Sequence, residues 1–215
     1  MAASDLAALF NGHHLDQRLT WHGEPPRWSV DTVERCLRIE PSAHTDFWQK
    51  THYGFEADNG HFFSLPVAGD FVLVTHVRFH AVHQYDQAGL MVRISPDCWL
   101  KTSVEYEPHE PNRLGVVVTN AGYSDWSTQD FPDERQDVWL RIRREGTDYL
   151  VDASEDGQHW TQIRMARLLD DRADAPVSAG IYACSPKDSG FIAKFSLLHL
   201  QLGRISPRPD GAPLG

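Results

Sequence analysis

Short runs of alternating apolar and polar residues, cut at close intervals by turn formers, restrict this chain more than any other feature. Side chains on a strand switch faces at every residue, whereas a helix brings every third or fourth residue to one side. Candidate strands fall at 36–40, 62–67, 70–81, 87–94, 98–105, 113–119, 138–144, 148–154, 161–166, 177–184 and 191–201. Between them stand Ala68-Gly69-Asp70, Ser95-Pro96-Asp97, Glu145-Gly146-Thr147, Glu155-Asp156-Gly157 and Ser185-Pro186-Lys187. No long stretch carries a 3.6-residue apolar period, so an α/β architecture is excluded in favour of an all-β sandwich or barrel. One short helical turn is expected at 4–11. The Trp- and Pro-rich stretch 15–35 is expected at an edge of the fold. A lead segment at 1–19, one sandwich domain at 20–202 and a mobile Pro/Gly-rich tail at 203–215 complete the expected organisation.

Alternation also sorts side chains by face. Leu90, Val92 and Ile94 share one face, as do Leu100, Thr102 and Val104; Val138, Leu140 and Ile142; and Val177, Ala179, Ile181 and Ala183. Opposite them lie Met91 and Arg93; Trp99, Lys101, Ser103 and Glu105; Trp139, Arg141 and Arg143; and Tyr182 and Cys184. If those strands are neighbours, Arg93, Lys101, Glu105, Arg141, Arg143 and Tyr182 form one polar-aromatic floor. The alternative is an ordinary solvated sheet face laced with ion pairs.

Charge narrows the partners. In 215 residues, Lys and Arg number 20 and Asp and Glu 30, a formal net charge of −10. A general nucleic-acid binder and an anionic-membrane binder both need a basic face, so both are excluded as expectations. The proposed floor, with three Arg and one Lys against one Glu, is locally basic and points toward an acidic or phosphorylated sugar. The N-terminus lacks a basic start and a sustained apolar run, and no run of about 18 apolar residues exists, so a cytoplasmic location is expected. Cys36, Cys98 and Cys184 form no C-x-x-C pair and are expected as reduced thiols.

Six segments carry a family resemblance: TDFWQKTHYGF (45–55), QYDQAGLMVR (84–93), WLKTSVEY (99–106), GVVVTN (115–120), GYSDWS (122–127) and GIYACSP (180–186). Together they resemble the "regulation of enolase" domain-of-unknown-function family, and the resemblance runs from about residue 20 to 202. It implies a concanavalin-A-like β-sandwich, a jelly roll of two antiparallel sheets, and a link to carbon metabolism. Ser154-x-Asp156-Gly157-x-x-Trp160 and Phe191-x-Ala193-x-Phe195-x-Leu197 also resemble the sandwich domains appended to some glycoside hydrolases.

Three function classes follow. The first is a non-catalytic module binding a carbohydrate or small polar ligand, with aromatic faces on sugar C–H patches and planar polar groups on hydroxyls. Trp126, Tyr85 and His52 are expected at its rim in turn-rich segments, with Tyr53 as a further aromatic face or, alternatively, a core plug, and with Gln87, Asn120, Asp125 and Arg93 as polar contacts. Trp48 is expected as a core plug and Trp126 as exposed. The second is a sugar-active enzyme with Glu105 as general acid or base and His52 as its partner. Glycosidases need a carboxylate pair. Glu105-x-Glu107-Pro108-His109-Glu110 departs from the E-x-D-x-x-E strand of laminarinase-type enzymes, because Pro108 breaks the strand and the central Asp is absent. The third is a regulatory protein binding a metabolic enzyme; a homodimer through an edge strand is a further expectation.

No cofactor and no metal is expected. His76 and His80 share a strand face but lie roughly 13 Å apart. A calcium loop at Asp125, Asp130 and Asp133 lacks an EF-hand pattern. Cys184, on the polar face near Arg141 or Arg143, is a weak nucleophile candidate.

Overall fold

The computed structural model describes residues 6–203, so nearly all of the expected tail lies outside the described residues. Among the described residues there is no helix, hence none long and apolar enough to cross a membrane. Two antiparallel sheets face each other. The first runs in spatial order β15 (Thr161–Arg167), β14 (Asp148–Ser154), β13 (Asp137–Glu145), β8 (Phe71–His80), β17 (Ile192–Leu202), β4 (Cys36–Glu40) and β3 (Arg27–Asp31). Its eighth strand, β1 (Leu6–Phe10), also pairs with β17. The second runs β12 (Tyr123–Phe131), β11 (Asn112–Asn120), β10 (Cys98–Glu105), β9 (Gln87–Ser95), β16 (Val177–Cys184), β7 (His61–Val67) and β2 (Thr20–His22). A small hairpin of β5 (Phe47–Gln49) and β6 (Glu56–Asp58) stands apart from both.

The sandwich core follows the alternation. Leu73, Val77, Leu140, Ile142, Phe195 and Leu198 from the first sheet meet Leu90, Val92, Leu100, Val104, Val116 and Ile181 from the second, all buried. Their packing is the main stabilising term, since a large core side chain cut to Ala costs about 2–5 kcal/mol. In β17 the pairing register with β8 shifts between Phe195 and Leu197, which keeps both Phe195 and Leu198 directed inward. The Thr75 hydroxyl donates to the Leu197 carbonyl at this bulge (2.7 Å).

Two expectations fail here. Residues 6–10 are a strand and not a helical turn. β4 pairs with β17 only from Phe195 back to Ala193, leaving the edge of β17 from Leu198 to Gln201 open; β1 fills it and buries Leu9 and Phe10. Tyr123–Phe131 is a nine-residue edge strand and not a rim loop. Asp125 and Asp130 therefore sit on a strand, each paired with an arginine (Arg164 and Arg113), while Asp133 accepts from the Asn112 backbone; the calcium-loop alternative does not survive.

Alternation also sends Arg144 inward. A buried guanidinium must be fully paired to be tolerated, and Arg144 is. It donates to Asp171 and to the carbonyls of Gly69, Arg172 and Ala175, and Tyr149 donates to the same carboxylate.

Candidate functional site

The outer faces of the two sheets have different fates. That of the seven-stranded sheet carries Met91, Trp99, Val117, Tyr182 and Cys184, which form a second, smaller core with Phe47, Trp48 and Phe62. The β5–β6 hairpin makes this possible by lying on the sheet. Phe47 meets Trp99 and Tyr182 edge-on. Two charged pairs pin the hairpin's ends: Lys101 Nζ to Asp46 (3.2 Å) and Arg93 Nη2 to Asp58 (2.7 Å). The Gln49 amide donates to Ser124 Oγ at 2.9 Å, tying the hairpin to β12. Gly60 permits the close approach, because any side chain there would collide with Phe47 and Cys184 Sγ.

Where the hairpin ends, a cavity of about 200 Å³ opens onto the sheet, lined by Asp46, Trp48, Tyr53, Phe55, Tyr85, Gln87, Lys101, Glu105, Trp126 and Lys187. Its floor is a hydrogen-bonded chain. Lys101 is 2% exposed and donates to Gln87 Oε1 (2.9 Å) as well as to Asp46. The Tyr182 hydroxyl donates to the same Gln87 oxygen (3.0 Å) and lies 2.8 Å from Ser103 Oγ. Burial works against the Lys101 charge, but Asp46 and Glu105 outweigh it and hold the ammonium above the usual lysine value. Glu105, 8% exposed, is driven the other way. Burial raises its carboxyl to about 7; Lys101 opposes the rise, and the charges of Asp46 and Glu107 add to it. One carboxylate in the cavity is therefore paired directly with a lysine, while the other, Glu105, gains a proton close to neutrality.

The rim is strained. Lys50, His52 and Tyr85 have φ of 56°, 63° and 71°, a region that non-glycine residues rarely enter and that clusters at ligand sites. The structure around Tyr85 enforces it. Buried Asp86 accepts from the amides of Val82 and His83 (2.8 Å each) and from Ser185 Oγ (2.8 Å). The Tyr85 amide donates to the Tyr106 carbonyl (2.8 Å), and Lys187 stands 5.3 Å from the ring centre. On the opposite wall Trp126 lies against Gly115, where a Cβ would come within 2.7 Å of the indole nitrogen.

Of the residues expected in a site, Lys101, Glu105, Gln87, Tyr53, Tyr85 and Trp126 line this cavity, and Tyr182 supports its floor. Arg93 is on the same face but is spent on Asp58. Arg141 and Arg143 belong to the other sheet, so the single floor does not exist: both reach Asp152, at 2.9 and 3.1 Å, and Arg141 stacks 4.3 Å from the Trp160 ring centre. Nor do they touch Cys184, whose thiol is raised by burial against the pull of Lys101. Asn120 bonds the Arg167 carbonyl and the Leu169 amide, linking β11 to the end of β15 away from the cavity. His52 lines an adjoining groove and not the cavity that holds Glu105, which removes it as a partner for that carboxyl. Asp46, Phe55 and Lys187 are not among the expected site residues, although Asp46 and Phe55 lie within TDFWQKTHYGF and Lys187 directly follows GIYACSP. Trp48 is buried as expected (7% exposed), yet it lies on the outer face of the sheet and also forms cavity wall.

A larger cleft of about 420 Å³ lies between the edge strands β12 and β15, among Leu114, Phe131, Val138 and Ile163 with Glu155, Asp156 and His159. Its carboxylates Glu155 and Asp156 are already engaged. Asp156 takes the amides of Gln158 and His159 and the His159 ring, and Glu155 takes Arg135.

Comparison with known proteins agrees on the framework. A family described as a protein of unknown function (DUF1349) matches residues 21–202. "Regulation of enolase protein 1" of Saccharomyces cerevisiae is 34% identical over 181 residues, which is 82% of this chain and 86% of the yeast protein. The crystal structure of a functionally unknown protein from Saccharomyces cerevisiae superposes with a TM-score of 0.78 at 32% identity, over 92% of this chain and 98% of that one. Bacteroides ovatus Xyloglucan PUL GH43B superposes with a TM-score of 0.71 at 16% identity, over 94% of this chain but 40% of its own; that likeness is one of fold. By the span of the family match and the identity to the yeast relative, the chain belongs to the DUF1349 family.

Proposed function

We propose that the protein binds a small saccharide in the cavity over Lys101 and Glu105. One observation carries this reading: an aromatic-walled cavity, formed by Trp48, Tyr53, Phe55, Tyr85 and Trp126, closes on a floor of a few converging polar groups. Apolar walls with a few placed polar groups are the general form of a small-ligand site, and a sugar offers C–H faces to the walls and hydroxyls to the floor. The charges present, Lys101 and Lys187 against Asp46 and a Glu105 that protonates near neutrality, make the cavity neutral to mildly positive. That supports neutral and acidic sugars alike and replaces the strongly basic floor expected from the strand pattern. The structural neighbour named for xyloglucan makes xylose- and glucose-based glycans the first probes.

Calorimetry with those glycans and their uronic acids tests the reading. Trp126→Ala is expected to weaken binding about tenfold or more, the equivalent of roughly 1.4 kcal/mol of lost aromatic contact. Absence of binding across the panel would sink the proposal.

A second reading has its own support. Glu105 is buried and protonates near 7, and Asp46, 3.2 Å from Lys101 Nζ, lines the same cavity. A buried carboxyl that keeps its proton near neutrality, with a second carboxylate in the same cavity, supplies the acid and the partner that glycoside hydrolysis needs. Release of nitrophenol from aryl glycosides, lost in Glu105→Gln, is the expected sign; no turnover by the wild-type protein would restrict the site to binding.

A further inference from the structure

The cavity does not end at its aromatic wall. Trp48, Tyr53 and Trp126 are shared with an open groove of about 540 Å³, whose remaining lining is Thr51, His52, Tyr123, Ser124 and Asp125. The groove runs along the edge strand β12 and presents two aromatic rings to solvent: Tyr53 is 51% exposed and Tyr123 61%. Exposed aromatics gathered at one place mark recognition surfaces more than stability. Tyr53 is edge-on to Trp48, with ring centres 5.4 Å apart, and Lys50 Nζ stands 5.5 Å from the Tyr123 ring centre. The short loop between β5 and β6 closes on itself through Lys50 N to the Phe55 carbonyl (2.9 Å) and Gly54 N to the Lys50 carbonyl (2.8 Å). Tyr53 is thus fixed on the boundary between the two spaces.

The spaces differ in kind. The cavity, at about 200 Å³, is worth about seven water molecules at roughly 30 Å³ each, room for one sugar ring. Its floor holds the converging charges, and Tyr85 and Lys187 line it without reaching the groove. The groove is shallow and is bounded by aromatic and hydroxyl groups, while its one carboxylate, Asp125, is already paired with Arg164 at 2.9 Å.

Building on the saccharide reading above, we propose that the site recognises the end of a saccharide chain. The terminal ring enters the Lys101–Glu105 cavity, and the next ring lies in the groove against Tyr53, Trp126 and Tyr123. An isolated monosaccharide would fill half of such a site. A ring in the middle of a long chain would need a second way out of the cavity past Tyr85 and Lys187, which line it on the side that does not reach the groove.

Calorimetry with xylose, xylobiose, xylotriose and xylan, and with glucose, cellobiose, cellotriose and soluble cellulose oligomers, separates the outcomes. The disaccharide is expected to bind about tenfold more tightly than its monosaccharide, the trisaccharide within about twofold of the disaccharide, and the polymer no more tightly per chain end. Tyr123→Ala is expected to bring the disaccharide-to-monosaccharide ratio close to one; Tyr123 is exposed, so the fold should survive, and a thermal melt checks that it does. Equal affinity for monosaccharide and disaccharide in the wild-type protein would overturn the two-ring site while leaving saccharide binding intact. Affinity that rises in proportion to chain length would overturn end recognition. Binding to none of these sugars would instead remove the saccharide reading on which the inference rests.

Discussion

The outer faces of the two sheets look alike in sequence and are opposites in structure. Both strands β10 and β13 alternate apolar residues with Trp, Lys, Arg and Glu. On β13 the outward residues are half-buried at most and settle their charges locally, with Arg141 and Arg143 sharing Asp152. On β10 every residue is buried, because residues 44–60 fold back over it. The same residue types that make a solvated, ion-paired surface in one place make a closed, polar-floored cavity in the other. Chemistry comes from the cover: burial raises the Glu105 carboxyl and forces Lys101 to find Asp46 and Gln87.

The comparison breaks most sharply at Lys101. Removing it leaves Asp46 and Glu105 without their buried counter-charge, and breaking one side of a buried ion pair costs about 3–5 kcal/mol. Urea unfolding of Lys101→Ala should show that loss; a change no larger than a surface mutation gives would mean the hairpin does not cover the sheet in solution. Glu105 comes next. Its folded-state carboxyl titrates near 7 against an ordinary 4.5, so the native state holds a proton that the unfolded chain releases. Stability is then greatest below the unfolded value and falls as pH rises from 4.5 through 7, by about 3 kcal/mol at 1.36 kcal/mol per unit. Melting temperatures at pH 5 and pH 8 should differ by more in the wild type than in Glu105→Gln, which carries no titrating proton there. Equal pH dependence in the two proteins would remove the cavity's distinctive electrostatics. Gly60→Ala follows, at about 1–3 kcal/mol, the usual penalty for forcing atoms into a packed site.

The all-β character and the facing of most side chains were legible, because period-2 alternation is a local property. Strands 36–40, 98–105, 148–154 and 177–184 have the bounds read from the chain. Sheet membership was not legible. Nothing in VWLRIRRE says that β13 pairs with β8 and β14 and not with β10, so Arg141 and Arg143 were grouped with Lys101 across a sandwich that separates them. The cover was missed for a related reason. The hairpin strands are three residues each, too short for a periodic signal, and their placement rests on long-range pairs such as Asp46–Lys101 and Asp58–Arg93. Six of the ten cavity residues are still legible as site candidates, Lys101, Glu105, Gln87, Tyr53, Tyr85 and Trp126, because chemistry-bearing residue types are visible wherever they fall.

The smallest expected effect tests the solvated half of the comparison. Asp152 has a nearly buried carboxylate with two arginines on it, Arg141 Nε at 2.9 Å and Arg143 Nε at 3.1 Å. Arg143→Ala leaves Arg141 in place, held there by its stack on Trp160, so Asp152 keeps a partner. Arg143 itself is partly solvated and regains water in the unfolded state, and pairs of this kind are worth about 0–1 kcal/mol. The variant should unfold within about 1 kcal/mol of wild type, and its ligand affinity should not move, since the two sheets put the whole sandwich core between Arg143 and the cavity. Changing Asp152 to Ala is the informative partner, because it strands two guanidinium groups at once. If Arg143→Ala were as damaging as Lys101→Ala, the outer face of the eight-stranded sheet would itself be a covered surface, and something other than water would have to be covering it.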